Sequence, residues 1–153
     1  MLRTVLLSFF LFATAFGCTC IPGYKPNDKF CNSDAVGVFR IIANRTSTNP
    51  LHLSFYSAPV TVFKSVSGNS GQINQPSTSY VTIIETNSHQ TACGLTWLKE
   101  KQEYLLNGAY NYSSRTLKVS ACVQIAPTSW NNVPEDIKTA LEKGSYKCPA
   151  QKD

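Results

Sequence analysis

The chain has 153 residues, one domain's worth at roughly 150 residues per domain, so two separate cores are not expected. Its 42% apolar and 15% charged residues exclude a disordered chain or a charge-driven tail. The net charge of +5 comes from Lys and Arg scattered in ones and twos, without the clustered basic face of a nucleic-acid binder.

At the N-terminus Arg3 precedes an apolar run from Val5 to Phe16. At about twelve residues the run is too short to span a bilayer. With the small residues Ala15 and Gly17 just before Cys18 it has the parts of a cleavable signal peptide, residues 1–17. Cleavage after Ala15 is the alternative. The domain proper is then 18–153, and with no other segment apolar enough to span a membrane the product is expected to be soluble, secreted and monomeric. All six cysteines, Cys18, Cys20, Cys31, Cys93, Cys122 and Cys148, lie beyond the cut. An even number in a secreted chain reads as three disulfides, which spacing leaves among 15 pairings. Asn44-Arg45-Thr46 and Asn111-Tyr112-Ser113 are glycosylation sequons suited to an extracellular chain.

Ala35–Ala43 is β-branched and apolar and stops at the polar run Asn44–Pro50, a strand followed by an exposed loop. Leu51–Val66 is a second strand, expected to be broken, with Pro59 at a bend, bulge or edge because proline cannot donate to a ladder. Ser67–Ser79, rich in Gly, Ser and Asn, reads as a long hairpin loop. Tyr80–Glu85, Glu103–Gly108 and Thr116–Val123 are strands three to five, and the fifth alternates best. Ala109–Arg115 suits the hairpin turn between the last two. Ile137, Ala140 and Leu141 then adopt helical spacing, with Pro134 at the start, Glu135 and Asp136 in the first turn and Gly144 past the end of a helix of roughly ten residues. Five strands with turn-rich connections predict a mainly β protein, most simply a five-stranded Greek-key barrel.

Catalytic constellations are missing. His52 and His89 lie in unrelated segments and read as surface or rim residues, and there is no nucleophile elbow and no phosphate-cradling glycine loop. Bridged cysteines leave no thiol nucleophile, and Cys18-Thr19-Cys20 without a Cys-x-x-Cys or paired His does not read as a zinc site. Glu135-Asp136 and Glu100 with Glu103 read as helix-dipole and solvated-turn positions. The chain is therefore expected to be no enzyme and to hold no cofactor of its own. The unusual feature is a cysteine at the start of the mature chain with another two residues later, although chain ends normally fray. Either Cys18 ties down a loose end, or a fixed α-amino group and its carbonyl form a two-point ligand for a metal held by another protein.

Cys18-Thr19-Cys20-Ile21-Pro22 and Phe30-Cys31-Asn32-Ser33-Asp34 resemble the opening of the tissue inhibitors of metalloproteinases. The similarity continues through Ala92-Cys93-Gly94, Tyr104-Leu105-Leu106-Asn107-Gly108, Ala121-Cys122 and Ala126-Pro127 to Tyr146-Lys147-Cys148. It implies an OB-like barrel, the netrin-like module, with short flanking helices and bridges Cys18–Cys93, Cys20–Cys122 and Cys31–Cys148. It also implies a secreted inhibitor in which the Cys18 amine and carbonyl chelate the catalytic zinc of a matrix-metalloproteinase-type target, the zinc being supplied only in trans. Thr19 would enter the primary specificity pocket. Cys20, Ile21 and Pro22 would lie along the cleft, and Thr91 and Ala92 would form a second contact segment.

Three departures stand out. No counterpart of the second, C-terminal domain of vertebrate members is expected, nor are contacts that depend on it. Thr128-Ser129 separates Pro127 from Trp130-Asn131, which in the family follow the proline directly. A glycan on Asn44 would sit near a strand connection that touches the protease in the family. The competing expectation is a secreted binding or immunomodulatory signalling module on the same barrel, with extracellular matrix or cell-surface proteins as partners and no protease inhibition.

Overall fold

The structure, a computed structural model, describes residues 18–65 and 81–149. The proposed signal segment and the Ser67–Ser79 loop lie outside them. Five strands close into a barrel in the order β1-β2-β3-β5-β4, with β4 returning to pair with β1. They are β1 (Ala35–Arg45), β2 (His52–Ser65), β3 (Thr82–Asn87), β4 (Glu103–Asn111) and β5 (Thr116–Lys118). All neighbours are antiparallel except β3 and β5, which run parallel. This is the closed Greek-key arrangement of an OB-type barrel.

β1 is buried along all of Ala35–Phe39, because Ala35 and Phe39 join the barrel core while Val36 joins a separate cluster on the other side. Phe39, Ile41 and Phe55 pack with Ile84, Leu106 and Leu117 inside the barrel. β2 is continuous where a break was expected. Its pairing instead slips one residue between Val38↔Thr61 and Phe39↔Pro59, so the missing proline N–H falls beside a bulge. β5 is much shorter than its alternation suggests. After Lys118 the chain leaves the ladder, because Ala121 donates to the Cys93 carbonyl at 2.8 Å and Cys122 is bridged to Cys20.

A second cluster of Val36, Leu105, Ile125, Val133 and Leu141 lies under two helices, α1 (Pro26–Cys31) and α2 (Glu135–Glu142). α1 starts with Pro26, and the Asp28 carboxylate accepts the Lys25 N–H at 3.0 Å. Lys64 Nζ donates to the carbonyls at its end, Phe30 at 3.0 Å and Cys31 at 2.8 Å. Burial lowers the pKa of this ammonium, with Asp34 opposing the shift. α2 carries Glu135 and Asp136 in its first turn, and Gly144 follows it at φ +61°. Ser129 bridges Tyr104 of β4, and the neighbouring Trp130 packs against Phe63. Glu103 lies on β4 and pairs with Arg40, while Glu100 accepts the Asn44 backbone N–H at 3.0 Å, so neither is a merely solvated turn residue. No helix among the described residues is long and apolar enough to cross a membrane.

Candidate functional site

Three segments without regular strand structure converge at one edge of the barrel: residues 18–25, the 88–94 connection after β3, and 119–125 after β5. Disulfides join them. Cys18 is bonded to Cys93 with Cα atoms 4.9 Å apart, and Cys20 to Cys122 with Cα atoms 5.2 Å apart. The third bridge, Cys31–Cys148, ties the end of α1 to the C-terminal segment, where the Tyr146 ring packs tilted against Phe30. These are the pairings that the resemblance implies.

The 88–94 connection is rigid for local reasons. A single 3-10 turn, Gln90–Ala92, is ended by Cys93 in the left-handed region at φ 59°. Asn87 Nδ2 donates to the Ala92 carbonyl at 2.8 Å, and the Gly94 N–H to the His89 carbonyl at 3.0 Å. Gly94 lies so close to the Asn87 carbonyl that a β-carbon there would collide with backbone. The 119–125 segment is held by a buried polar network. Gln124 Nε2 donates to the Asn107 carbonyl at 2.8 Å, and Asn107 Oδ1 accepts the Ile125 N–H at 2.9 Å. Asn107 Nδ2 donates to both Ser33 Oγ and the Val123 carbonyl.

On this anchored base Thr19, Cys20, Ile21 and Pro22 are exposed, Ile21 to 77%, and so are Thr91 and Ala92. Ile21 and Pro22 are thus apolar side chains held out to water on a disulfide-fixed segment. Pro22 and Gly23 then turn the chain, Gly23 at φ +105°, toward α1. Beneath the segment runs a cavity of about 750 Å³, bordered by Ile21, Tyr24, Lys29 and Val123 and, on the barrel wall, by Glu85 and Lys118. Glu85 pairs there with His52 at 3.3 Å and Lys118 at 3.8 Å. His89, in contrast, is exposed and meets Ser88 Oγ at 2.8 Å.

The model of the family described as Tissue inhibitor of metalloproteinase matches residues 16–150, most of the chain. The chain belongs to that family. Metalloproteinases are accordingly the partner class that membership implies, on a scaffold whose barrel and three disulfides agree with it. No individual curated protein matches the sequence. Within this family member the described sequons lie apart. Asn44, on β1, also donates its Nδ2 to Glu100 at 3.1 Å, and Asn111, at the end of β4, accepts the Ser114 N–H at 3.0 Å.

Residue patterning alone misses Asn107, Gln124, Asn87 and Gly94 as supports of this edge. The one local signal is Gln124 itself, a polar residue among Val123, Ile125 and Ala126, which is an expensive thing to bury unless it is fully bonded.

Proposed function

We propose that the chain is a secreted metalloproteinase inhibitor whose 18–22 edge enters the cleft of its target. Signal cleavage after Gly17 makes Cys18 the first residue. Its α-amino nitrogen and carbonyl oxygen would then be the chelating pair for the position that the protease's catalytic zinc leaves open to water or substrate. Thr19 enters the primary specificity pocket. Cys20, Ile21 and Pro22 follow the cleft, with Thr91 and Ala92 as the second contact. The chain supplies the chelating atoms, and the zinc belongs to the protease. Glycans on Asn44 and Asn111 complete the secreted form.

The observation that carries this reading is the pair of bridges Cys18–Cys93 and Cys20–Cys122, which hold an exposed N-terminal segment against two anchored loops. With the segment ordered in advance, little conformational entropy opposes docking. The amine must be neutral to donate its lone pair, and its ordinary pKa is about 7.7 to 8.0.

The test is covalent modification of the amine. Acetylation, or one extra alanine before Cys18, is expected to abolish most inhibition while the melting temperature and disulfide map stay unchanged, since the bridges lie behind the modified atom. Affinity is also expected to fall as pH drops below the amine pKa, after correction for the protease's own titration. A correctly bridged, extended protein that inhibits as well as the native one rejects the zinc mechanism and favours the binding-module alternative.

A further inference from the structure

The sulfurs of Cys18, Cys20, Cys93 and Cys122 all lie within 4.8 Å of one another. They belong to two separate bridges that touch. Cys122 Sγ is 3.2 Å from Cys18 Sγ and 3.4 Å from Cys93 Sγ, so it meets both sulfurs of the neighbouring bond. Cys18 Sγ and Cys20 Sγ are 3.7 Å apart. Cys31 and Cys148 stand outside this group.

Bridges exchange by attack of a thiolate on one sulfur, through a mixed disulfide, and access decides which sulfur is attacked. Cys20 is exposed, whereas Cys18, Cys93 and Cys122 are half-buried. Within this group an external thiolate therefore meets Cys20 first, and the sulfur it expels is Cys122, the one already in contact with the second bridge. Cys148 is exposed as well, but its bridge stands outside the group, so attack there only recloses the same bond.

We propose that Cys20–Cys122 is a thiol-exchange site whose opening permutes the adjoining Cys18–Cys93 bridge. A small thiol, or the reactive thiolate of a dithiol oxidoreductase, would thereby convert the native pair of bridges into an isomeric pair without net reduction. In the first step the incoming thiolate bonds to Cys20 Sγ, the Cys20–Cys122 bond breaks, and its electron pair leaves on Cys122. The Cys122 thiolate then bonds to Cys93 Sγ and expels Cys18, or bonds to Cys18 Sγ and expels Cys93. The expelled thiolate attacks Cys20 Sγ and releases the original thiolate. The products are Cys93–Cys122 with Cys18–Cys20, or Cys18–Cys122 with Cys20–Cys93. Every electron pair is returned, so the thiol acts catalytically.

The first product has a functional consequence, which rests on the inhibitory reading above. Once Cys18 and Cys20 are bonded to each other, no bridge holds residues 18–22 to the barrel, and the pre-ordered edge is lost.

The experiment uses the full secreted chain with its native bridges. The probe is a substoichiometric amount of reduced glutathione in the absence of air, followed by acid quenching and non-reducing peptide mapping. The expected result is either isomeric pairing among the four sulfurs, with the intact mass unchanged and Cys31–Cys148 untouched. Below the thiol's pKa its thiolate fraction rises tenfold per pH unit, and the rate of isomerisation is expected to rise with it by about the same factor. Retention of the native map, while the same glutathione exchanges with a small disulfide in the same tube, overturns the proposal. So does scrambling that draws in Cys31 or Cys148 at a comparable rate. Pairing is read by mass, so failure of the inhibitory reading leaves this result unaffected, and inhibition assayed on the same samples tests the two separately.

Discussion

Asn107 and Gln124 are paired through main chain and side chain at once: the Asn107 N–H donates to Gln124 Oε1 at 3.2 Å, and Gln124 Nε2 returns to the Asn107 carbonyl at 2.8 Å. Both are fully buried. The pair clamps the chain two residues beyond Cys122 to β4, and so sets where the Cys20–Cys122 bridge can lie.

Replacing Asn107 with Ala leaves the Ile125 N–H and the Ser33 hydroxyl without their Asn107 partner in the interior, and also removes the bond to the partly buried Val123 carbonyl. Unsatisfied buried groups of this kind cost roughly 1 to 3 kcal/mol each. Asn107→Ala is therefore expected to lose about 3 kcal/mol in denaturant unfolding, and to weaken protease inhibition at temperatures where it stays folded. Unchanged stability would show that water or a rearranged Gln124 replaces the lost bonds.

Gly94 and Gly144 make a matched comparison. A β-carbon at Gly94 meets the Asn87 and His89 carbonyls, which are backbone and cannot swing aside, whereas Gly144 has open space and only a left-handed φ of +61°. Gly94→Ala is expected to cost about 2 to 3 kcal/mol and to displace Thr91 and Ala92. Gly144→Ala should cost about 1 kcal/mol and leave inhibition intact. Thermal melts with parallel inhibition assays on both variants check this, and equal losses of inhibition would contradict it.

Thr19 is exposed between two bridged cysteines, with a side chain short enough to enter a deep pocket without filling it. Thr19→Gly is expected to weaken inhibition across several metalloproteinases. A larger apolar residue should redistribute affinity according to pocket size. Equal inhibition constants for Thr19→Gly and the native protein across a panel would remove residue 19 from the pocket.

Tyr110 and Tyr146 have hydroxyl pKa values raised by burial, against opposing contributions at Tyr110 from a Thr82 hydrogen bond and Arg115. The folded state thus holds these protons longer than the unfolded chain. Their contribution to stability is present below the ordinary tyrosine pKa of about 10 and is lost as pH rises through the folded values. Lys64 acts in the opposite direction, because its lowered pKa makes the unfolded state the better proton binder as pH approaches the ordinary lysine value. Spectrophotometric titration should show late-ionising tyrosines, and Tyr110→Phe should remove part of that late component and soften the alkaline loss of stability. An unchanged titration curve in Tyr110→Phe would contradict the assignment.

Strand positions are local information, and β1, β3 and β4 lie within two or three residues of where their β-branched and apolar composition puts them. The same holds for α2, whose acidic first turn and trailing Gly144 are cues confined to a few neighbouring residues. The cysteine-framed segments that open at Cys18 and Phe30 carry the family resemblance as well, because the motif is contiguous. Tertiary structure decides the rest. β5 stops at Lys118 although alternation continues to Val123, since the bond from Ala121 to Cys93 and the Cys20 bridge draw the chain off the ladder. Pairing among six cysteines, the slip that accommodates Pro59, and the Asn107–Gln124 clamp all depend on residues far apart in the chain. No local period encodes which of them meet; barrel closure, with β3 beside β5 and β4 beside β1, brings them within bonding distance.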